Sequence, residues 1–183
     1  DEKKIEKLIT QKTKAIVPVD FAGHPAEMDT IKRIAKKHKL LVIEDAAQGL
    51  GARHRGRKIG SIADITVFSF HPVKAITTGE GGAIVTDSKK LYEKMVSLRS
   101  HGIHKDRLGK NVMTDLGYNY RLTDIGAALG LSQLPKLEGF LKKRHKVVRW
   151  YQKELKDCED IILPTELRHV YSGWHLYIIR VKK

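Results

Sequence analysis

Two short apolar runs separated by an amphipathic segment constrain the fold of this chain most strongly. The runs cover residues 15–19 and 40–43, and each has the length and composition of a buried strand. Residues 26–38 between them carry apolar side chains at helical spacing. A strand, helix, strand order with short connections predicts parallel strands with a right-handed crossover, and therefore an α/β sheet flanked by helices.

The rest of the chain continues this pattern. Strands are predicted over residues 65–70 and 82–86, where apolar residues again run together. The other predicted elements are helices over 2–12, 88–100, 123–134 and 135–156, a long loop over 101–118, and a final strand over 174–181.

Charge and composition exclude several classes of protein. The 183 residues include 35 basic and 21 acidic side chains, a net charge of +14. The basic residues fall singly or in pairs along helical segments, without an aromatic-rich strand for stacking bases, which favours a lysine-rich solvated surface over a nucleic-acid partner. We expect no membrane segment and no signal peptide, because no apolar run approaches about 20 residues. A lone Cys158 favours the reducing cytoplasm.

Polar side chains follow two of the predicted strands. Asp45 ends one strand with Gln48 a turn later, and Ser69, His71 and Lys74 follow the next strand. Ligands bind at the carboxyl ends of strands in open parallel sheets. Lys74 follows a largely apolar segment, where desolvation would favour its neutral, nucleophilic amine.

These residues offer the set of groups that pyridoxal phosphate requires. The cofactor needs a lysine for a Schiff base, a carboxylate for its ring nitrogen, and a hydroxyl with backbone N–H groups for its phosphate. Lys74, Asp45 and Ser69 supply them. Each also has a simpler interpretation, as a solvated lysine, a helix cap and a strand-end hydrogen-bond partner, and the glycines of residues 79–82 suit a hairpin turn. Only the occurrence of all three residues together favours a cofactor site over these simpler interpretations.

Other chemistries lack their motifs. The chain has no G-K-[ST] phosphate loop, and its glycines do not fit G-x-G-x-x-G. His101 and His104 have no further ligands at metal spacing, so we predict no metal site. Cys158 lies among acidic residues, which disfavour its thiolate.

Five motifs identify a resemblance to a known family. The chain resembles the DegT/DnrJ/EryC1/StrS family of sugar aminotransferases over about residues 14–177. The segments that carry the resemblance are VIEDAAQGLGA, FSFHPVKAITTGEGGAIVT, LRSHGI, GYNYRLTDIGAALGLSQL and WHLY. VDFAGHP, FSFHPVKAITTGEGG and RSHGI are most similar to the enzymes that aminate UDP-linked 4-keto-6-deoxy-N-acetylhexosamine, the pseudaminic-acid type. The related enzymes that make 4-amino-4-deoxy-arabinose are nearly as similar. The resemblance implies a fold-type I transferase large domain, a mostly parallel sheet flanked by helices, with pyridoxal 5'-phosphate as cofactor.

The resemblance also implies roles for individual residues. Lys74 would bind the cofactor covalently and move a proton, Asp45 would hold the ring nitrogen protonated, and Ser69 would bind the phosphate. Gln48 would lie near the hydroxyl edge of the cofactor, and His71 would line the site beside Lys74.

Three later positions are implied to contact substrate or a second subunit. Asn119 would reach the phosphate bound by the neighbouring subunit of a homodimer with shared sites. Arg121 would meet the carboxylate of the amino donor or the nucleotide-sugar, and His175 would approach the nucleotide-sugar. The implied reaction transfers an amino group from glutamate or a similar donor to a nucleotide-linked 4-ketosugar, for surface or spore-coat polysaccharide or pseudaminic-acid-type sugars.

Family members are about twice this length, so the resemblance implies a chain truncated at both ends. Residues 1–157 would form the C-terminal part of the cofactor-binding large domain, and residues 158–183 would begin the small C-terminal domain. Gly126 stands where the family usually has a larger polar residue, which weakens its helix by about 1 kcal/mol. A non-catalytic remnant without the phosphate loop stays an alternative, as does a basic nucleic-acid-binding domain.

Overall fold

The computed structural model describes residues 1–182. In chain order the strands are β1 Ala15–Ile16, β2 Leu41–Asp45, β3 Arg53–His54, β4 Arg57–Lys58, β5 Ile65–Ser69, β6 Gly82–Val85, β7 Ile103–Lys105, β8 Asn111–Met113, β9 Ile161–Ile162, β10 Val170–Tyr171 and β11 Arg180–Val181. The α-helices are α1 Ile5–Leu8, α2 Met28–Lys37, α3 Lys89–Arg99, α4 Asp124–Gln133 and α5 Leu137–Glu154, with short 3₁₀ helices at Glu2–Lys4, Phe21–Gly23 and Leu134–Lys136.

A four-stranded sheet forms the centre of the fold, in the order β1-β2-β5-β6. β2 runs parallel to both β1 and β5, while β6 runs antiparallel to β5. α2 connects β1 to β2, as the strand, helix, strand pattern predicts. The prediction of an α/β fold with a mostly parallel sheet is confirmed.

The two central strands bury alternate residues. In β2 and β5 the buried side chains include Val42, Glu44, Thr66 and Phe68, and the hydrophobic ones join a core with the apolar face of α2. Thr66 donates a hydrogen bond from its hydroxyl to the Glu44 carboxylate at 2.9 Å, which offsets part of the cost of burying that carboxyl group. Since side chains alternate along a strand, the opposite face presents Asp45 and Ser69.

Helices α3 and α4 begin directly after their capping residues, Ser88 and Thr123, in agreement with the predicted starts. The Ser88 hydroxyl accepts a hydrogen bond from the Leu91 N–H at 3.4 Å, and the Thr123 hydroxyl accepts one from the Gly126 N–H at 3.2 Å. These caps satisfy N–H groups that the first turn of a helix leaves unpaired. Within residues 1–182, none of the helices has both the length and the apolar character needed to span a bilayer.

The first predicted helix is wrong beyond Leu8. The hydroxyl of Thr13 accepts a hydrogen bond from the Thr10 N–H at 2.9 Å, and that of Thr10 accepts one from the Lys12 N–H at 3.2 Å. Threonine hydroxyls compete in this way with helical backbone bonds. The helix therefore ends before the threonines.

The predicted loop over 101–118 contains a hairpin formed by β7 and β8. Every residue of both strands is exposed, so neither strand shows the alternation of buried apolar and exposed polar residues that identifies a half-buried strand. Asp106 closes the turn, where its carboxylate accepts hydrogen bonds from the Leu108 and Lys110 N–H groups.

The strand predicted over residues 174–181 is wrong except for Arg180–Val181. The guanidinium of Arg144 donates hydrogen bonds to the carbonyls of Trp174 and His175 at 3.1 and 3.2 Å, and Trp174 has a positive φ of 43°. At Trp174 and His175 the backbone carbonyls thus accept hydrogen bonds from a side chain and not from a neighbouring strand.

The proposed domain boundary after residue 157 lies three residues beyond the end of α5 at Glu154. Past it, β9 pairs with β11, whereas β10 pairs with β3. The boundary stays a prediction, and Lys183 of the predicted second segment lies outside the described residues.

Candidate active site

Asp45 and Ser69 end the two adjacent parallel strands at the centre of the sheet. Asp45 is the last residue of β2 and Ser69 the last of β5. The register pairs Asp45 with Val67, so Ser69 lies two residues further along its strand. Because side chains alternate, Asp45, Val67 and Ser69 share one face of the sheet. Both polar side chains are half-buried, at the sheet edge where ligands bind in such folds.

The loop of residues 70–81 carries Lys74 and is closed at its base. The Phe70 carbonyl accepts hydrogen bonds from the Thr78 N–H at 3.0 Å and the Thr77 hydroxyl at 2.9 Å. The Phe70 N–H donates to the Gly81 carbonyl at 2.8 Å. Lys74 itself closes a turn, since its N–H donates to the His71 carbonyl at 3.0 Å. Lys74 is half-buried five residues after the end of β5.

Helix α4 supports this loop through a small-residue face. Gln133 bonds to both backbone groups of Thr77, accepting from its N–H at 3.2 Å and donating to its carbonyl at 3.4 Å. A Cβ on Gly130 would lie 2.9 Å from the Thr78 methyl, and one on Gly126 would lie 3.2 Å from the Thr78 carbonyl oxygen. The two glycines, four residues apart, therefore let the loop approach the helix, which accounts for the helix-weakening residue at 126.

Gln48 and Gly23 bring the C-terminal segment to the site. The Gln48 side-chain oxygen accepts a hydrogen bond from the Ala22 N–H at 2.6 Å, which leaves its NH₂ group as a donor for a ligand. The Gly23 carbonyl accepts from the Gly173 N–H at 2.7 Å. A Cβ on Gly23 would lie 2.8 Å from the His175 nitrogen, so the backbones are in close contact.

His175 lies within electrostatic range of Lys74. Burial lowers the pKa of His175, and the positive charges of Lys74 and Arg144 lower that pKa further. The imidazole is therefore neutral at physiological pH. The charge of Lys74 thus acts on His175 although the two residues are 101 positions apart in the chain.

The side chains of Asp45 and Ser69 fit the polar groups of pyridoxal phosphate. One Asp45 oxygen accepts from the Ala47 N–H at 3.0 Å, a capping bond that is compatible with a second donor, because a carboxylate has about four acceptor positions. The Ser69 oxygen is 3.4 Å from the His71 N–H that donates to it, and its own hydroxyl proton can point to a phosphate. A carboxylate, a hydroxyl and a lysine amine are the groups the cofactor needs.

Three predicted residues have side chains that do not bond to Asp45, Ser69 or Lys74 in the described part of the chain. The His71 backbone, however, bonds to both Ser69 and Lys74. His71 is exposed, and its Nε2 lies 3.8 Å from a Glu80 carboxylate oxygen. Asn119 and Arg121 are also exposed, and within residues 1–182 neither side chain has a hydrogen bond or ion pair. Asn119 is held only through its backbone, by a bridge to Ser100.

Asp20 is a site neighbour that the sequence analysis missed. Its carboxyl group is fully buried, and its N–H donates to the Asp45 carbonyl at 3.0 Å. Burial, followed by the nearby charge of Glu44, raises the pKa of Asp20 to about 8. A residue with a neutral carboxyl group at neutral pH is thus hydrogen-bonded to the backbone of Asp45. Arg144 and Gln133 were missed as well, and only the four-residue spacing of Gly126 and Gly130 gave a sequence signal for the packing.

The model of the DegT/DnrJ/EryC1/StrS aminotransferase family matches residues 1–183. The chain belongs to this family. The resemblance predicted from its motifs is thereby confirmed. The predicted fold-type I architecture is confirmed as well, since solved sugar aminotransferases match it over the whole of this chain and about half of their own length.

One named relative is the UDP-4-amino-4,6-dideoxy-N-acetyl-beta-L-altrosamine transaminase of Campylobacter jejuni. It is 50% identical to this chain, and the match covers 98% of this chain and 48% of the relative. PseC of Helicobacter pylori, an aminotransferase of pseudaminic-acid biosynthesis, has a TM-score of 0.95 and 40% identity over 100% of this chain and 49% of its own. The PLP-form of the sugar aminotransferase Spr1654 from Streptococcus pneumoniae has a TM-score of 0.91 and 31% identity over 100% of this chain and 51% of its own. The chain spans about half the length of the curated relatives it matches.

Proposed function

We propose that the protein transfers an amino group from glutamate or a similar amino acid to the C4 keto group of a nucleotide-linked sugar, with pyridoxal phosphate as cofactor. The observation that carries the proposal is the shared sheet face of Asp45 and Ser69, with the loop of Lys74 directly after β5. The names of the Campylobacter and Helicobacter relatives support the 4-aminosugar class and, within it, the pseudaminic-acid type.

Each residue has a proposed task. When bound, pyridoxal phosphate supplies an electron-withdrawing ring that can carry an amino group from donor to acceptor. Lys74 would hold the cofactor and, when its amine is free, move a proton between carbon atoms. Asp45 would accept a hydrogen bond from the ring nitrogen and keep that nitrogen protonated. Ser69 would donate to the phosphate, and Gln48 would direct its NH₂ group to the hydroxyl edge.

Substrate contacts would come from residues around Lys74. His175 is neutral and half-buried, so it can donate or accept a hydrogen bond to the nucleotide-sugar without adding charge. His71 would line the same side as Lys74. Arg121 is exposed and always charged, which suits the carboxylate of the donor or the phosphates of the nucleotide.

We propose a homodimer with shared sites, in which Asn119 reaches the phosphate in the partner subunit. A stretch of the chain rich in exposed apolar side chains supports this, because large exposed apolar areas mark interaction sites. The apolar residues of this stretch that are at least half exposed lie between residues 116 and 134. They are Leu116, Tyr118, Tyr120, Ile125, Leu131 and Leu134. The cytoplasm is the proposed compartment, on the single cysteine of the chain.

Ile125→Asp is expected to convert the dimer to a monomer, because it places a charge on a side chain that is 86% exposed in the single chain and would be buried at the interface. Light scattering coupled to size exclusion measures the mass. Leu8→Asp, at another largely exposed apolar residue, outside the 116–134 stretch, is the control and should leave the mass unchanged. A monomeric wild-type protein would contradict the dimer.

Borohydride trapping tests the cofactor assignment. Protein incubated with pyridoxal phosphate and reduced with borohydride should carry one stable adduct, and peptide mass analysis should locate it at Lys74. A stoichiometric adduct is expected because Lys74 lies on the loop that directly follows β5, whose last residue is Ser69. Lys74→Arg keeps the positive charge but has no amine that can form the adduct.

The outcomes separate the competing functions. An adduct at Lys74 in the wild type and none in Lys74→Arg supports the aminotransferase. Adducts spread over surface lysines, or an equal yield from Lys74→Arg, would overturn the assignment. No adduct even at millimolar cofactor would favour a non-catalytic remnant.

A further inference from the structure

Three side chains from distant parts of the chain meet at a second place in the fold. Glu27 is the N-cap residue of α2, His54 lies in β3, and His169 directly precedes β10. The Glu27 Oε1 atom is 2.5 Å from His169 Nε2, and Glu27 Oε2 is 3.6 Å from His54 Nε2. One ligand atom from each residue lies within 4.8 Å of the other two. The cluster contains none of the residues proposed for catalysis.

His54 is the unexplained member of this cluster. Its side chain is 0% exposed, and among residues 1–182 neither ring nitrogen has a hydrogen-bond partner. A buried imidazole usually has a partner for at least one nitrogen, because leaving both unpaired costs free energy. His54 Nε2 faces the Glu27 and His169 pair, whereas Nδ1 faces the Asp29 carboxylate at 4.0 Å.

We propose that Glu27, His54 and His169 bind a divalent transition-metal ion, with Zn²⁺ as the fitting example. Two imidazoles and one carboxylate are ligands that Zn²⁺ prefers, with a fourth position left for water. Tetrahedral coordination at about 2.0–2.1 Å requires donor atoms about 3.3 Å apart. The two separations given above, 2.5 Å from Glu27 Oε1 to His169 Nε2 and 3.6 Å from Glu27 Oε2 to His54 Nε2, lie on either side of that value. Glu27 and His169 are partly exposed, which gives an ion a route to the buried histidine.

The surroundings fit a metal centre as well. Metal-binding histidines usually direct their other nitrogen at a carboxylate, which fixes the ring, and Asp29 occupies this place for His54. Asp29 is itself paired with Arg55 and Arg57, so it is held in position.

The backbone brings the histidines together without metal. His54 pairs in register with Val170, and the Arg55 N–H donates to the His169 carbonyl at 2.7 Å. A bound ion would then tie the start of α2 to this strand pair. The sequence analysis predicted no metal site because His101 and His104 lack further ligands at metal spacing. It did not consider Glu27 and His169, which are 142 residues apart, a separation that no spacing motif would reveal.

Zinc titration of tag-free, metal-stripped protein tests the proposal. A chromogenic zinc competitor should report one tight equivalent per chain, and Co²⁺ should give the intense visible bands of tetrahedral coordination. Zn²⁺ should also raise the thermal midpoint, because it binds only the folded arrangement. His169→Gln and Glu27→Gln should each lose the equivalent and the thermal shift. Both are partly exposed, so these variants test the site even if a change at His54 prevents folding. His104→Gln, on the exposed β7-β8 hairpin, is the control and should bind like wild type.

Two results would overturn the proposal. One is the absence of a stoichiometric equivalent at tens of micromolar zinc, which would leave the cluster as a hydrogen-bonded contact only. The other is binding that survives His169→Gln and Glu27→Gln, which would place the ion elsewhere.

Discussion

Gly23→Ala is expected to lower the free energy of unfolding by about 2–5 kcal/mol, the sum of left-handed backbone strain and crowding. Gly23 has a φ of +91°, and an added Cβ would lie 2.8 Å from the His175 nitrogen, 2.9 Å from the Trp174 nitrogen and 3.0 Å from the Gln48 oxygen. All three are backbone atoms that cannot rotate away. The segment holding His175 must therefore separate from the site, and the adduct yield at Lys74 should fall too.

Gly56→Ala is the matched control for this prediction. Gly56 also has a positive φ, +78°, but nothing lies within 4 Å of an added Cβ. Its cost should be the backbone strain alone, about 1–2 kcal/mol. Urea unfolding of the two variants measures the difference. If both variants were destabilised equally, the close contact between Gly23 and the C-terminal segment would add nothing to the free-energy cost of the alanine at position 23.

Asp20→Asn is expected to remove a loss of stability that the wild-type protein suffers as the pH rises from acid to alkaline. The pKa of Asp20 is raised to about 8 from 3.8 by burial and by Glu44. Between these values the folded protein holds a proton that the unfolded chain has released. Native stability therefore falls as pH rises through this interval, by up to about 1.4 kcal/mol per pH unit, and levels off above about 8. Asparagine keeps an acceptor for the Ala26 N–H but does not titrate.

The variant should consequently become more stable than wild type by several kcal/mol at pH 9, with the difference shrinking toward pH 4. Denaturant unfolding across this range measures it. Asp115→Asn is the control of opposite sign, because Lys94 lowers the pKa of Asp115. Its contribution is present above the ordinary pKa and is lost only in acid. An Asp20→Asn slope equal to that of wild type would show that Asp20 is ionised in the folded protein.

The parts of the fold that follow from local pattern were predicted correctly. The two apolar runs and the helix between them became β1, β2 and α2, and Ser88 and Thr123 cap the helices they precede. Local signals suffice there, because apolar periodicity and capping bonds act within one or two turns. Asp45 and Ser69 could be placed at one sheet edge for the same reason, since both directly end a strand.

What the sequence could not show depends on contacts between distant segments. No local pattern predicts that Arg144 bonds to the carbonyl of His175 or that Asp20 is buried beside Glu44. The β7-β8 hairpin could not be recognised from the sequence, because neither of its faces is buried and its apolar and polar residues therefore do not alternate. Asn119 and Arg121 would find their partners in another subunit or a substrate, so the single chain leaves them exposed.

The contact between Gly23 and the C-terminal segment has a consequence for synthesis of the protein. The Ser172 hydroxyl donates to the Gly23 carbonyl at 3.0 Å across 149 residues, whereas β5 and β6 pair within one short stretch of chain. Chains leave the ribosome from the N-terminus, and closing a longer loop costs more entropy. The β5-β6 pair on either side of the Lys74 loop lies earlier in the chain than Ser172, so it can form before the contact between Gly23 and the C-terminal segment.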